Sequence, residues 1–512
     1  MQISLRGGRV LVSGVLLCFG VSVGKAEGES APKKGEIDRA IPSKRQTEER
    51  TERPPQRIDL QIDPTGEPSP ALKYRLYPSH ASLKPGNSVP YYYRSVLAVT
   101  GVRKEQRDEF YAVYDQFGNT PLETCRQPEN AERIQRVIDT YQAALRELDE
   151  ATSRQQTDWD WQLNRLTGDK PFTYRLEETL NSRDIARVLS LRARLEAAEG
   201  RFDEALRTVR QVFKLGRDVA QPPMLIDSLV GIAITNIMAR DLRDIIGEAG
   251  CPNLYWALAT VPDPLIPVRN SMEFEAQIYE QLLPFLRDPE HQEHSAQEWA
   301  RLFREGHRTV AGLSNRGRSS DHALDAKAVA LMMRGYPVAK RELIATGMDR
   351  QRVERMPVGQ VVAIYQKRVT QYIYDEYFKW SYIDYQRGQS FFDRTTRRLK
   401  QTGYWGPATT KEILPIANLA LPAVRQAALA QVRLQTRIKG LMVLEAVRLH
   451  MAANGGRFPT TLDDIDVVPI PICPLTEEPY EYHLEGDTAV LVVPSHPFAK
   501  HVWWELHVTR RN

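Results

Sequence analysis

The sequence predicts a mainly α protein with a helical-hairpin body and a small C-terminal α+β module that contains an antiparallel hairpin. Apolar residues recur three and four positions apart through most of residues 71–453, and glycine or proline separates these runs. Only residues 480–508 show runs typical of strands. Of the 512 residues, 42% are hydrophobic and 26% are charged, which is the balance of a globular protein.

The N-terminus has the features of a secretory signal peptide. Two arginines precede an uncharged apolar run over residues 10–23, and small residues precede a cleavage site after Ala26. A membrane-spanning helix needs about 20 residues, which is more than this run provides. We therefore expect residues 1–26 to be removed and the protein to be periplasmic or secreted, with no stable transmembrane span. An uncleaved anchor is the alternative.

Four further segments follow the signal peptide. Residues 27–70 are predicted to be a disordered, charged linker, because charged and proline residues outnumber apolar ones. Two helical lobes are predicted over residues 71–265 and 266–425, with a proline-rich stretch at their boundary. Residues 426–512 are predicted to form the α+β module.

The clearest helical hairpin lies near residue 200. A helix over residues 183–199 ends at Gly200, and a second helix begins at Phe202. The small residues Ala193 and Ala205 flank this turn, and the unit resembles one tetratricopeptide repeat. Because a helical solenoid needs about three repeats, we interpret the unit as one hairpin in a larger α-domain.

Helical periodicity continues on both sides of this hairpin. Further helices are predicted over residues 91–117, 131–152, 224–246, 274–285, 297–305, 326–346, 350–376 and 413–453. Proline at position 357 is expected to divide one of them. The segment 224–246 is apolar on most sides and is predicted to be a central buried helix. Asp227, Asn236 and Arg240 interrupt it, which argues against a membrane span.

The last part of the chain changes character. Residues 480–484 and 488–493 flank a turn that contains Gly486, and this pattern predicts a β-hairpin. Residues 502–508 are predicted to form a third strand, and we expect no parallel pairing. The apolar stripe of helix 413–453 is expected to dock the module onto the helical body, with Phe458 and Tyr482 as aromatic anchors.

Several motifs occur together between residues 72 and 509. They are Pro85-Gly86-Asn87 before Tyr91-Tyr92-Tyr93-Arg94, Asp158-Trp159, Ala198-Glu199-Gly200-Arg201-Phe202, Leu229-Val230-Gly231-Ile232, Cys251-Pro252-Asn253-Leu254-Tyr255-Trp256 and Gly455-Gly456-Arg457-Phe458-Pro459. As a set they resemble a family of uncharacterised, signal-peptide-bearing helical proteins of planctomycete-type bacteria. This resemblance implies export and a mainly helical fold, and it implies no site residue. The C-terminal helix and hairpin also resemble the soluble part of type II secretion pseudopilins, which implies a similar scaffold alone.

One aromatic segment is the candidate binding surface. Its members are Tyr374, Tyr377, Trp380, Tyr385 and Asp375. Aromatic rings beside carboxylates bind carbohydrate or flank an acid–base pair. At helical spacing, aromatic residues also pack between helices with their hydroxyls in water. The segment Asp158-Trp159-Asp160-Trp161 is open to the same two interpretations.

No cofactor and no metal site are predicted. Near the C-terminus the candidate zinc ligands are Cys473, His483, Asp487, His496, His501 and His507. They lack the close spacing of known zinc motifs. His291 and His294 flank Glu293 without forming the helical zinc-protease motif. The mature chain would contain three cysteines, Cys125, Cys251 and Cys473. The sequence does not decide whether two of them form a disulfide.

These observations favour a non-enzymatic envelope scaffold that binds a peptide or another envelope protein. The alternative is an extracytoplasmic hydrolase that acts on carbohydrate or peptide, for which the aromatic and acidic segment is the motivation. Nucleic acid is not an expected partner, because 69 basic residues against 65 acidic ones leave a formal net charge of only +4. A deep pocket with two converging carboxylates would favour the hydrolase, and a shallow, groove-like apolar surface would favour the scaffold.

Overall fold

A computed structural model describes residues 56–168, 170, 176–313, 320–404, 411–493 and 504–511. The predicted signal peptide, residues 1–26, and the linker up to residue 55 lie outside these residues. The first part of the chain contains the helices α1 (Val89–Thr100), α2 (Lys104–Phe117), α3 (Leu122–Arg126), α4 (Pro128–Thr140), α5 (Gln142–Thr152), α6 (Leu176–Ala198), α7 (Phe202–Val219), α8 (Leu225–Ile246) and α9 (Tyr255–Ala259).

Helices also dominate the second part of the chain. They are α10 (Arg269–Gln277), α11 (Tyr279–Leu282), α12 (Ala296–Leu313), α13 (Asp321–Ala345), α14 (Arg350–Arg355), α15 (Val358–Phe378), α16 (Tyr385–Gln401) and α17 (Ala417–Ala453). The strands are β1 (Gln56–Ile62), β2 (Lys84–Asn87), β3 (Arg154–Gln156), β4 (Glu481–Glu485), β5 (Thr488–Val492) and β6 (Trp504–Arg510). The predicted fold class, mainly α with a small C-terminal α+β module, is therefore confirmed.

The C-terminal hairpin and its third strand form as predicted. β4 and β5 pair antiparallel across Gly486, whose φ of 62° suits the turn, and β5 pairs antiparallel with β6. The expectation of no parallel pairing is wrong, because β1 runs parallel to β6 and completes a sheet of order β1-β6-β5-β4. A second, two-stranded sheet pairs β2 with β3, also in parallel.

Strand β1 also corrects the predicted linker of residues 27–70. Residues 56–62 are paired along their whole length with β6, and Ile62 is fully buried. The segment is ordered because its apolar residues alternate, so that Ile58, Leu60 and Ile62 share one face against the core. Residues 56–62 therefore belong to the globular part, although they precede the predicted boundary at residue 70.

Three predicted helices are divided, and one of them is the helix over residues 274–285, which breaks at Ile278 between α10 and α11. The predicted helix over residues 91–117 breaks between α1 and α2, after Gly101. The predicted helix over residues 131–152 breaks at Tyr141, which separates α4 from α5. Pro357 does divide the helix predicted over residues 350–376, since it precedes the first residue of α15.

Glycines let α7 approach α8 closely. A Cβ atom added to Gly216 of α7 would lie 2.5 Å from Cγ2 of Thr235 and 3.0 Å from the carbonyl oxygen of Gly231 in α8. A Cβ atom added to Gly231 would in turn collide with the carbonyl oxygen of Gly216. Gly200, with φ of 77°, ends the preceding turn as predicted and connects α6 to α7. This close crossing holds α7 in the position from which it supplies the residues of the cleft described below.

A buried arginine of α17 forms hydrogen bonds to distant parts of the chain. Arg448 donates to the Glu445 carboxylate at 3.0 Å, to the carbonyl oxygen of Cys251 at 2.7 Å and to Thr65 Oγ1 at 2.7 Å. Both charged side chains are fully buried. The predicted docking of the C-terminal module is therefore confirmed, since most buried apolar side chains from Ile62 to Val508 form one continuous core. A small separate cluster contains Trp161, Leu163 and Met224. The two-lobe division at residue 265 stays a prediction.

The predicted aromatic anchors of the module, Phe458 and Tyr482, are partly buried and pack against the core, and Tyr480 is a third anchor that was not predicted. Tyr480 is buried and donates its hydroxyl to the carbonyl oxygen of Thr436 in α17, 2.6 Å away. Tyr482 is only half-buried and donates to the carbonyl oxygen of Pro459 at 2.9 Å. Among the described helices, none combines the length and the apolarity needed to cross a membrane.

Candidate functional site

Most of the predicted aromatic surface lies inside the protein. Tyr374 and Tyr377 in α15 are 1% and 2% exposed, and Tyr385 at the start of α16 is 9% exposed. These three residues therefore pack between helices and cannot serve as an accessible binding surface, which corrects that part of the prediction. Asp375 is exposed to solvent. Trp380 is half-buried and lines a cavity next to α16, which is described in the last subsection.

The residues considered as metal ligands do not form a metal site in the described part of the chain. His507 contacts Glu505 at 2.5 Å and His483 contacts Glu485 at 3.3 Å. His496 and His501 lie outside the described residues. Over the ranges that the structure describes, His, Cys, Asp and Glu side chains do not gather in groups of three or more that would hold a metal ion.

The cysteines are buried thiols. Cys125, Cys251 and Cys473 are free and buried. Burial raises the pKa of the Cys251 thiol to about 12, so this thiol stays protonated at neutral pH. These three cysteines therefore pack as small apolar side chains in the core.

A polar cleft of about 590 Å³ is a candidate binding site. Three segments that are distant in sequence form it: residues 77–83, residues 155–158 and the end of α7 with Gln221. We call it the polar cleft. Its volume falls within the range of about 300–1,000 Å³ typical of ligand sites.

One wall of the polar cleft is held by backbone pairing. The carbonyl oxygen of Gln156 in β3 accepts the backbone N–H of Ser88 at 2.8 Å. The Asn87 side chain bonds the backbone of Asp158 twice, donating to its carbonyl oxygen at 2.8 Å and accepting its N–H at 3.0 Å. Gln155 donates to the carbonyl oxygen of Leu83 at 3.2 Å. This wall is therefore ordered before any ligand binds.

A buried ion pair forms the floor of the polar cleft. Lys214 Nζ lies 2.6 Å from Asp218 Oδ1, one helical turn away in α7, and both side chains are at most 5% exposed. The hydroxyl of Tyr92 in α1 donates to Asp218 Oδ2 at 2.6 Å. Burial raises the pKa of Asp218 above its ordinary value, while its cationic and hydroxyl partners favour the carboxylate. The ion pair leaves the floor with no net charge.

The Trp159 side chain contacts the backbone of this ion pair and the ring of Tyr92. The indole Nε1 of Trp159 donates to the backbone carbonyl of Asp218 at 2.8 Å. Its ring is stacked on Tyr92, with centroids 5.8 Å apart, and contacts Trp161 at 5.6 Å. Both interpretations of the segment Asp158-Trp159-Asp160-Trp161 therefore apply in part. Its tryptophans pack against other side chains, and Asp158 lines the cleft.

Other ionisable groups at the polar cleft are also engaged. Arg217 donates to the carbonyl oxygens of Leu265 at 2.6 Å and Pro264 at 3.2 Å. Burial, reinforced by the nearby Asp218 carboxylate, raises the pKa of Tyr77, so its phenol remains a neutral hydrogen-bond donor. The cleft therefore offers amides, hydroxyls and backbone groups to a ligand, together with the exposed Asp158 carboxylate and His80 imidazole.

The polar cleft was missed in the sequence for a physical reason. Lys214 and Asp218 stand four residues apart in a helix, which is the ordinary spacing of a solvent-exposed ion pair. In the folded protein the pair is buried, and Tyr92 of α1 and Trp159 after β3 both hydrogen-bond Asp218. The available signal was the Asp158-Trp159 motif, because it places a carboxylate next to a large ring.

A scan against models of protein families gave no match, and neither did searches of curated proteins and of solved structures.

Proposed function

We propose that the protein is an exported, non-enzymatic scaffold of the cell envelope that binds an extended peptide segment of a partner protein in the polar cleft. The hydrogen-bonding character of the cleft, whose floor is the balanced ion pair of Lys214 and Asp218, is the observation that carries this proposal. A peptide presents N–H and C=O groups along its whole length, and the amides of Gln155, Gln156 and Gln221 complement both kinds of group.

Strand β3 supplies the second support for a peptide ligand. The small sheet consists of β2 and β3 alone within the described residues, so one edge of β3 has no strand partner there. An extended peptide laid beside such an edge gains main-chain hydrogen bonds, which is the common mode of β-augmentation. Side chains that line the cleft would then select the peptide's alternate residues.

The ion pair favours binding over hydrolysis. A hydrolase needs a carboxylate that is free to accept or release a proton near the substrate. Both oxygens of Asp218 accept hydrogen bonds from Lys214 and Tyr92, so that proton transfer would break a buried ion pair. The exposed Asp158 is the other carboxylate of the lining, so hydrolysis stays an alternative that the cross-linking experiment tests.

Site-specific cross-linking tests this proposal. Full-length protein with a photoreactive amino acid at Gln156, in the polar cleft, is irradiated in envelope extract. Gln297 on α12 is a matched exposed position outside the cleft. We expect discrete adducts from position 156 alone, with an intact partner segment identified by mass spectrometry. Equal adducts from both positions would contradict peptide binding, and cleaved fragments would support the hydrolase instead.

Export is tested separately. The mature protein recovered from the envelope or medium should begin near Glu27, as N-terminal sequencing would show. A cytoplasmic protein with an intact N-terminus would contradict the proposed location without affecting the cleft.

A further inference from the structure

A second cavity, of about 440 Å³, lies beside α16. Its lining contains the rings of Trp380 and Phe391 and three arginines of α16, Arg394, Arg397 and Arg398. The other lining residues are threonine and glutamine, so that no carboxylate belongs to this lining. We call it the arginine cavity. It is formed by the turn after α15 and by α16, whereas the polar cleft is formed around α7.

Stacked rings and cations order one wall of the arginine cavity. Trp380 and Phe391 are stacked with centroids 4.5 Å apart and ring planes 19° apart. Arg394 lies over Phe391 at 4.3 Å, and Lys379 lies over Trp380 at 5.1 Å. Trp380 Nε1 also donates to the buried Thr395 Oγ1 at 2.9 Å. Such cation–π contacts hold the Arg394 guanidinium in place before a ligand arrives.

The carboxylates near the arginine cavity are already paired. Glu376 bonds Lys379 at 2.8 Å and also pairs with Arg398. Asp393, the acidic residue of α16, bonds Arg425 of α17 at 2.6 Å. Within the described ranges, neither of the other two guanidiniums of the cavity has a carboxylate within 4 Å.

We propose that the arginine cavity binds the phosphate group of an organic phosphate, either a free small molecule or a lipid headgroup. Arg394 and Arg397 supply two unpaired positive charges, which match a phosphate dianion, and guanidinium groups bind phosphate oxygens with paired hydrogen bonds. The cavity is larger than a phosphate, and the ring edges of Trp380 and Phe391 are available for the remainder of the ligand. A single carboxylate would leave one of the two guanidiniums uncompensated.

Calorimetric titration of the full-length protein with inorganic phosphate tests the site. Arg397→Gln and Arg394→Gln each remove one exposed guanidinium, and Arg387→Gln is the matched control, because Arg387 is an exposed arginine of α16 that does not line the cavity. We expect saturable binding by the wild type, a loss of about tenfold or more in affinity for each cavity variant, and no change for the control.

A second arm of the experiment distinguishes free phosphate from a lipid headgroup. Vesicles of phosphatidylglycerol with phosphatidylcholine are compared with vesicles of phosphatidylcholine alone. Saturable binding of inorganic phosphate supports a free phosphorylated ligand, and binding only to the anionic vesicles supports a headgroup. The proposal is overturned if neither probe binds, if neutral vesicles bind equally, or if Arg387→Gln weakens binding as much as Arg397→Gln.

Discussion

Replacement of Arg448 by methionine should strongly destabilise the protein. The guanidinium bonds both oxygens of Glu445 at 3.0 Å, the carbonyl oxygens of Cys251 and Asp63 at 2.7 and 3.1 Å, and Thr65. Removal of the guanidinium leaves a fully buried carboxylate without its cation. Breaking a buried ion pair in this way costs about 3–5 kcal/mol of unfolding free energy.

The double variant separates the charge from the other contacts. With both Arg448→Met and Glu445→Met, no buried charge remains, and the loss should fall to about 2 kcal/mol, from backbone carbonyls that lose a donor. Chemical denaturation at neutral pH measures both values. Arg136→Met, in an exposed pair with Glu132, is the control and should cost about 0–1 kcal/mol.

The pH dependence gives an independent check on this reasoning. Burial already raises the pKa of Glu445, and Arg448 opposes the rise. Without Arg448 the pKa should rise further, so that the folded state takes up a proton and the destabilisation shrinks as the pH falls. A loss below about 1 kcal/mol for Arg448→Met, or a double variant as unstable as the single one, would refute the account.

Three further predictions concern the helix crossing, the polar cleft and one buried acid. Gly231→Ala should cost about 1–3 kcal/mol, because the added methyl meets α7, whereas Gly312→Ala, where a Cβ meets open space, should be neutral or slightly stabilising in thermal unfolding. Lys214→Met should lower the free energy of unfolding by about 3–5 kcal/mol in urea denaturation, and by less at acidic pH. The control Lys104→Met, in an exposed ion pair, should lower it by about 0–1 kcal/mol. Equal losses for the two variants would contradict the importance of burial. Burial raises the pKa of Glu412 from its ordinary value of 4.5 to about 8. Between pH 4.5 and pH 8 this carboxyl is therefore protonated in the folded state and ionised in the unfolded chain. Its contribution therefore makes stability fall as the pH rises between these values, and Glu412→Gln should remove that slope; an unchanged slope would contradict it.

Local periodicity was enough to predict most helices. The helix predicted over residues 224–246 matches α8 closely, because its apolar residues recur at helical spacing along the whole segment. The break at Tyr141 was not predicted, since the apolar periodicity continues across it. There the backbone N–H bonds the carbonyl oxygens of both Val137 and Ile138, which marks a tightened turn.

Contacts between distant segments could not be predicted in the same way. Strand β1 pairs with β6 at the other end of the chain, and nothing local specifies that partner. The alternation of Ile58, Leu60 and Ile62 was a usable signal, but it lies in a segment dominated by charge. Likewise, the polar cleft depends on residues 77–83 and 155–158 meeting the end of α7, and nothing in the sequence around Lys214 and Asp218 specifies those partners.

The most direct test of the proposed function is hydrogen exchange of the protein with the peptide segment identified by cross-linking. If that segment adds to the edge of β3, the backbone amides of residues 154–158 should exchange more slowly in the complex, and the peptide should be recovered intact. Unchanged exchange over residues 154–158, or recovery of a cleaved peptide, would contradict a non-enzymatic scaffold that binds peptide in the polar cleft.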